Sequence, residues 1–264
     1  MTSALVSSIH MFMSVWVTIK ESLSHVSENA GNSYSRVRSV SGGCPGVDTE
    51  GNDMGTPMLD NPFFARVWTF MSSHETQLLR DLRKETLAGL TGRVLEVGAG
   101  TGTNFAFYPD TVDEVVALEP EVHLTDKAKE AAANASVSVT VLPATVETLP
   151  VGEPFDAVVC SLVLCSVEDP EAVLRKVHSV LKPGGELRYL EHIASPGLRG
   201  RLQRLADATV WPRFVGNCHT HRDTESAVTA AGFVIDTSRK QAQFPAWIPT
   251  PVMEVALGRA LKSD

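Results

Sequence analysis

Two hydrophobic periods take turns along the chain from about residue 60. Apolar runs with strand character occupy 93–97, 114–118, 137–142, 155–160, 186–191 and 233–238, with a last one near 252–260. Between them the period lengthens to that of a helix at about 121–134, 169–181, 199–210 and 223–231. Two further helices precede the first strand. Asp60 or Asn61 with Pro62 starts one that carries Phe63, Phe64, Val67, Trp68 and Met71. Ser72 with Glu75 fits a capping box for a second running through Leu78, Leu79, Leu82 and Leu87. In "DPEAVLRKVHSVLKPGG" Asp169 caps, Pro170 takes the first turn, and Pro183 with Gly184 and Gly185 marks the stop. Regular alternation of strands and helices predicts an α/β fold: a doubly wound, mostly parallel seven-stranded sheet with helices on both faces.

Residues 1–57 follow a different pattern. Leu5, Ile9, Phe12, Trp16 and Ile19 recur at helical spacing with Ser7, Ser14 and Thr18 opposite, which predicts a short amphipathic helix. It lacks the basic start of a secretory signal and is too short and too polar on one face for a membrane span. An interfacial anchor, a docking helix and translated sequence upstream of the true start, with Met54 or Met58 as that start, all fit this stretch. Ser22 to Gly55 is rich in Ser, Gly and Asn and reads as a flexible linker. The expected organisation is an extension over 1–57 and one domain over 58–264, with a ligand-binding core at about 92–192 and an insert at about 193–232.

A formal charge of −8 gives no electrostatic reason to expect nucleic acid as a partner. Cys44, Cys160, Cys165 and Cys218 form no close pairs of the zinc-ribbon kind. This usage points to a reducing, cytoplasmic compartment, with membrane-surface contact expected only through residues 4–19. Nothing resembles a repeat or a heptad array, and the oligomeric state is not legible.

The chemistry begins where the first strand ends. In "VLEVGAGTGTNF" Gly98, Gly100 and Gly102 permit a tight turn and let a small molecule approach bare backbone. Their G-x-G-x-G spacing differs from the dinucleotide fingerprint, whose third glycine comes three residues after the second. Glu96, two residues before the turn, would repel a pyrophosphate but favour a ligand carrying an ammonium and a sulfonium, as S-adenosylmethionine does. "VVALEP" ends the second strand on Glu119, where an acid can hold two ribose hydroxyls; NAD sites use an acid similarly.

"VLEVGAGTGTNF", "VVALEP", "FDAVVCSLVLCSVED" and "LRKVHSVLKPGGELRYLEH" resemble, in order and spacing, the class I S-adenosylmethionine-dependent methyltransferases of the type 11 group, which are Rossmann-like. "GTGTNFAFYP", "CSLVLCSV" and the downstream "GNCHTHR" are similar to the branch that includes alkyl-thiol methyltransferases. Members of that branch carry an amino-terminal membrane anchor close to the domain; here the hydrophobic segment is weaker and a long linker intervenes. The resemblance implies S-adenosylmethionine as cofactor, with Glu96, Gly98, Ala99, Gly100, Gly102 and Asn104 at its methionine end. It further implies Glu119 on the ribose, Pro120 under the adenine, Ala144 and Thr145 of "PATVETLP" against the adenine through backbone, and Cys160, Ser161 and Leu162 beneath the sulfonium.

The implied reaction is in-line transfer of a methyl group to a small, apolar acceptor, a thiol before a quinone ring or a lipid head group. A thiol acceptor gains from a base or a nearby positive charge. Candidates for that role are His192, at the end of the fifth strand, and His219 or His221 in the insert. Each also reads as an ordinary hydrogen-bonded residue. Cys218, His219 and His221 lie within four residues but leave a fourth ligand unnamed, so no metal is assigned. Cys160 and Cys165 read as packed thiols. Phe63, Phe64, Trp68, Phe107, Trp211, Phe214 and Trp247 are the aromatic residues from which an acceptor pocket would be lined, although large aromatics pack in any core. Two other functions remain compatible: an NAD(P)-dependent oxidoreductase, which the glycine spacing and Glu96 disfavour, and a silent S-adenosylmethionine-binding module.

Overall fold

The computed structural model describes residues 58–263 apart from 210 and 245–249. The readings placed on 1–57 and on Trp247 therefore lie outside the described residues. Within them, seven strands form one sheet: β1 (Gly92–Val97), β2 (Val112–Leu118), β3 (Ser138–Leu142), β4 (Phe155–Ser161), β5 (Leu181–His192), β6 (Phe233–Ala242) and β7 (Glu254–Lys262). Their order is β3-β2-β1-β4-β5-β7-β6. The first five are parallel, while β7 runs antiparallel to both β5 and β6.

The central strands are apolar on both sides because helices cover both faces. Alternation divides their residues between two cores. Leu95, Val97, Val116, Leu118, Val158 and Cys160 face one layer, which includes Val173, Leu174 and Val177 of α4 (Pro170–Val180) and Val228 of α7 (Thr224–Ala230). Val94, Val115, Ala117, Ala157 and Val159 face the other, with Ala128 of α3 (Val122–Ala132). Full burial of a Val or Leu side chain contributes about 1.5–3 kcal/mol, so these two layers set the register of β1, β2 and β4.

Ahead of the sheet run α1 (Pro62–Ser73) and α2 (Gln77–Leu87). Asn61 caps α1, its side chain accepting the Phe64 amide at 3.1 Å, with Pro62 in the first turn. The capping box expected at Ser72 is not formed. Ser72 lies inside α1 and donates to the Trp68 carbonyl at 2.7 Å, while Thr76 caps α2. A hydroxyl three or four residues past a carbonyl can bond back within the helix, and Ser72 and Ser73 do so as the last two residues of α1. Asp169 caps α4 as expected, at 3.0 Å from the Ala172 amide.

The "KPGG" stretch also behaves differently from a simple stop. α4 ends at Val180 and β5 begins at once, with Leu181 paired to Phe155 and a register shift before Glu186. Between β5 and β6, α5 (Gly197–Asp207) and a four-residue helix α6 (Trp211–Phe214) precede α7; α6 is too short to show a helical period and was not expected. Among the described residues no helix is long and apolar enough to cross a membrane.

In this strand order the chain reverses direction across the sheet between β1 and β4. The carboxyl ends of those two strands flank the crevice where open α/β sheets take ligands.

Candidate functional site

β1 delivers Glu96 to that crevice. The carboxylate is buried, accepting from Asn104 Nδ2 at 2.9 Å and from the Tyr108 hydroxyl at 2.7 Å. Burial pushes its pKa up to about 7, against the opposing pull of those two bonds and of the Arg83 charge. Arg83 stands on the buried face of α2, in line with Leu82, Thr86 and Leu87. Its Nη1 donates to Asn104 Oδ1 at 3.0 Å and to Ser161 Oγ at 2.9 Å, and its Nη2 pairs with Glu75 Oε1 at 2.6 Å. One guanidinium thus ties the α1–α2 connection, the glycine turn and the end of β4 together.

Gly98, Gly100 and Gly102 all hold positive φ, at 68°, 59° and 76°. Those angles are the tight turn the sequence predicts, and close packing adds a second reason for glycine. A Cβ on Gly100 would lie 2.6 Å from the indole nitrogen of Trp68, one on Gly102 would lie 2.7 Å from Phe105 and Ala131, and one on Gly98 would overlap Val163. The protein's own side chains pack against the bare backbone, with α1 brought over the turn by Trp68.

At the end of β2, Glu119 accepts the Gly100 amide on Oε2 at 2.7 Å and the Glu121 amide on Oε1 at 2.9 Å. Its pKa also rises to about 7, through burial and then the neighbouring charges of Glu121 and Glu96, opposed by the two amides. Ala99 is joined to Leu118 at 2.9 Å, and both Glu119 and Ala144 donate their amides to the Leu142 carbonyl, at 3.1 and 2.9 Å. Pro120 receives the Leu59 amide at 2.9 Å, so the segment before α1 runs beside it. Thr145 is fastened to Thr148, and Glu147 is exposed. Glu96, Asn104, Glu119 and Ser161 therefore converge with the glycine turn at one end of the sheet. Two buried carboxylates lifted towards neutrality suit a ligand that brings positive charge, and the donor set fits S-adenosylmethionine.

Beyond β4 the chain turns through Leu162, at φ 59°. Glu191, fully buried on β5, holds this loop: its Oε1 accepts the Val163 and Leu164 amides at 2.9 Å each, and its Oε2 accepts Cys165 at 3.2 Å. Burial raises its pKa despite those three bonds. A cavity opens here, bounded by Trp68 and Leu162 on the side of the glycine turn, by Met71, Leu79 and Val215, and by Phe244. Of the aromatic residues expected to line it, Trp68 is the one among the described residues that does so. Phe64 packs on Gly216, Phe63 sits edge-on to Phe214, and Arg80 covers Phe107. Two buried polar atoms of cavity-lining residues lack partners among the described residues: Glu75 Oε2 and Gln243 Nε2.

His192 reaches this cavity; His219 and His221 are not among the residues lining it. His219 Nε2 lies 3.3 Å from Asn217 Oδ1, and His221 Nε2 lies 3.0 Å from Arg204 Nη1 on α5. The insert instead contributes Cys218, whose sulfur is 3.6 Å from that of Cys165 and 3.7 Å from His192 Nδ1. Contact with Cys218, followed by burial, pushes the Cys165 thiol well above its ordinary range, and burial does the same for Cys160 on β4.

Comparison with known proteins agrees with this geometry. Residues 95–189 match the family described as a methyltransferase domain. The chain belongs to the class I S-adenosylmethionine-dependent methyltransferases of the type 11 group, and S-adenosylmethionine is its cofactor. Among its relatives is a thiol S-methyltransferase of Mus musculus, TMT1B, 34% identical over 209 residues, covering 75% of this chain and 82% of that protein. A second, TMT1A of Homo sapiens, is 33% identical over 171 residues, covering 62% and 68%. The fold is also that of the N-methyltransferase NodS from Bradyrhizobium japonicum in complex with S-adenosylhomocysteine, with a TM-score of 0.53 and 17% identity, over 81% of this chain and 94% of that one.

Sequence reasoning missed Arg83, Glu75, Tyr108, Glu191 and the cavity role of Cys165. Arg83 left a trace, a basic residue at a position of α2 where the helical period calls for an apolar one. Glu191 did too, as a charge at the end of a buried strand. Cys165 and Cys218, 53 residues apart, left none.

Proposed function

We propose that the protein transfers a methyl group from S-adenosylmethionine to the sulfur of a small, largely apolar thiol. The observation that carries this reading is the cavity shared between Trp68 and Leu162 on the glycine-turn side and His192 on the other. Likeness to thiol S-methyltransferases over most of their length supports it.

In this reading residues 58–264 form the methyltransferase domain, with core 92–192 and acceptor insert 193–232. Glu96, Gly98, Ala99, Gly100, Gly102 and Asn104 hold the methionine end. Glu119 holds the ribose, while Pro120, Ala144 and Thr145 bracket the adenine. Cys160, Ser161 and Leu162 lie beneath the sulfonium. S-adenosylmethionine supplies a methyl group on a leaving group that is already activated, so the chain needs no covalent nucleophile of its own. Its task is to align acceptor sulfur and methyl carbon and to keep water out, effects that reach about 7–11 kcal/mol in favourable intramolecular cases. Trp68 and Leu162, shared by turn and cavity, set that alignment, and His192 faces the acceptor. Glu75 Oε2 and Gln243 Nε2, without partners among the described residues, would receive a polar group on the acceptor.

The test incubates the protein with S-adenosylmethionine carrying a deuterated methyl group and with panels of alkyl and aryl thiols, phenols, quinols and amines, read by mass spectrometry. Labelled thioethers as the dominant products support the reading. Labelled ethers or amines with unreacted thiols would replace it.

A further inference from the structure

The cavity's inner wall holds a feature that methyl transfer alone does not require. Three donor atoms from three separate segments meet there: Cys165 Sγ from the loop after β4, His192 Nδ1 from the end of β5, and Cys218 Sγ from the insert. Their separations are 3.6 Å between the sulfurs, 3.6 Å from Cys165 Sγ to His192 Nδ1 and 3.7 Å from Cys218 Sγ to the same nitrogen. A tetrahedral zinc with bonds of about 2.3 Å to sulfur and 2.0–2.1 Å to nitrogen has edges of about 3.8 Å between sulfurs and about 3.6 Å between sulfur and nitrogen. The three donors already stand close to those edges.

They are also fixed there. Glu191 holds the Cys165 amide. His219 donates its amide to the Cys165 carbonyl at 2.7 Å, Asn217 Nδ2 to the Ser166 carbonyl at 2.8 Å, and Arg222 Nη1 to the Leu164 carbonyl at 2.7 Å. The loop and the insert are thus laced together on either side of the two sulfurs. All three ligand residues are buried and all three line the cavity. Two thiolates and an imidazole suit zinc, and three protein ligands with one position left open is the arrangement of catalytic rather than structural zinc sites.

We propose that Cys165, Cys218 and His192 form a three-ligand zinc site whose fourth position opens into the acceptor cavity and takes the sulfur of the acceptor. This rests on the thiol reading above. The acceptor thiol loses its proton to solvent as its sulfur takes the open position. A sulfur lone pair then attacks the methyl carbon: the new sulfur–carbon bond forms as the sulfonium–methyl bond breaks, and its electron pair stays on the departing S-adenosylhomocysteine. The thioether product is neutral, a far weaker ligand than a thiolate, and leaves. Overall, thiol and S-adenosylmethionine give thioether, S-adenosylhomocysteine and one proton, with no change of metal oxidation state.

The test takes the reduced full-length protein, strips it with a chelator and titrates it with Co²⁺, which reports thiolate ligation and coordination number by its absorption. One Co²⁺ per chain is expected, with sulfur-to-cobalt charge-transfer bands, four-coordinate ligand-field bands and displacement by Zn²⁺. Cys165→Ser and Cys218→Ser, each shown to be folded by thermal unfolding, should weaken Zn²⁺ binding by more than the roughly 10–100-fold typical of losing an outer partner. His192→Ala should behave alike, and His219→Ala should keep the bands. Hexanethiol should intensify the charge-transfer bands as a third sulfur ligates. A folded wild type without these bands overturns the site, and bands that hexanethiol leaves unchanged overturn the open position. Chelator-treated protein that methylates thiols at the full rate overturns the zinc role while the thiol activity stands. Thiol-responsive bands without thiol methylation support the site and remove the activity instead.

Discussion

Glu191 accepts the backbone amide of Cys165 at 3.2 Å, and the same carboxylate takes the two amides before it. A buried carboxyl group on β5 thereby sets the path of the loop that carries the cavity's cysteine. Glu191→Gln preserves size but turns an amide group towards an N–H that needs an acceptor. The expected cost is about 1–3 kcal/mol of stability. A structural role alone would lower the melting temperature and leave KM untouched. Positioning of the loop requires that KM for the acceptor rise as well, with S-adenosylhomocysteine affinity unchanged by calorimetry.

Arg83 and Glu75 form an ion pair with both side chains only 5% exposed. Removing one partner of a buried pair strands the other, at about 3–5 kcal/mol. Arg83→Met should therefore destabilise strongly in denaturant titrations, and Arg83→Met with Glu75→Met should recover much of the loss. Since the same guanidinium anchors Asn104 and Ser161, the double variant should still bind S-adenosylmethionine weakly. Full affinity in the double variant would show that those two residues need no anchor.

Glu96 and Glu119 each have a pKa raised from 4.5 to about 7 in the fold. The folded protein then binds their protons more tightly than the unfolded chain. Their contribution to stability is complete below pH 4.5 and is lost as pH rises through about 7. Urea unfolding of the ligand-free protein should show this fall. Ligand affinity should move the opposite way. A cation favours the ionised carboxylates, so S-adenosylmethionine should bind more tightly at pH 8 than at pH 6 and release protons on binding. S-adenosylhomocysteine, without the sulfonium, should show a smaller difference. Calorimetry in two buffers of different ionisation enthalpy reads the proton release directly; none at pH 6 would contradict the account.

The central strands β1, β2, β4 and β5 were legible because buried parallel strands read as apolar runs. β3, β6 and β7 were legible because short β-branched and apolar runs bounded by turns read as strands even when less buried or antiparallel. The helices between them carry start residues such as Asp169 and Pro170. The glycine turn, Glu96 and Glu119 were legible from local spacing. What stayed hidden was set by distant partners. Beyond the positive φ of the turn, the glycines are also required by Trp68, Val163 and Phe105 packing on them, which no spacing within the motif encodes. Adjacency in "CHTH" suggested His219 and His221 as companions of Cys218, yet the backbone between them turns those two rings away, and the contacts of Cys218 come from β5 and the loop after β4. Ser72 misled for a related reason, since a hydroxyl within a helix and one capping it read the same in sequence.

The most direct test of the central claim is calorimetric titration of the wild-type protein and of Glu119→Ala with S-adenosylhomocysteine, with NAD(H) and NADP(H) as controls. Hydrogen bonds to a charged group contribute about 1.5–3 kcal/mol, so roughly 10–150-fold weaker binding of S-adenosylhomocysteine is expected in the folded variant, with no binding of either nicotinamide cofactor to the wild type. Unchanged affinity in the variant, or binding of a nicotinamide cofactor in place of S-adenosylhomocysteine, would contradict the assignment of the turn and Glu119 as the site that holds the methyl donor.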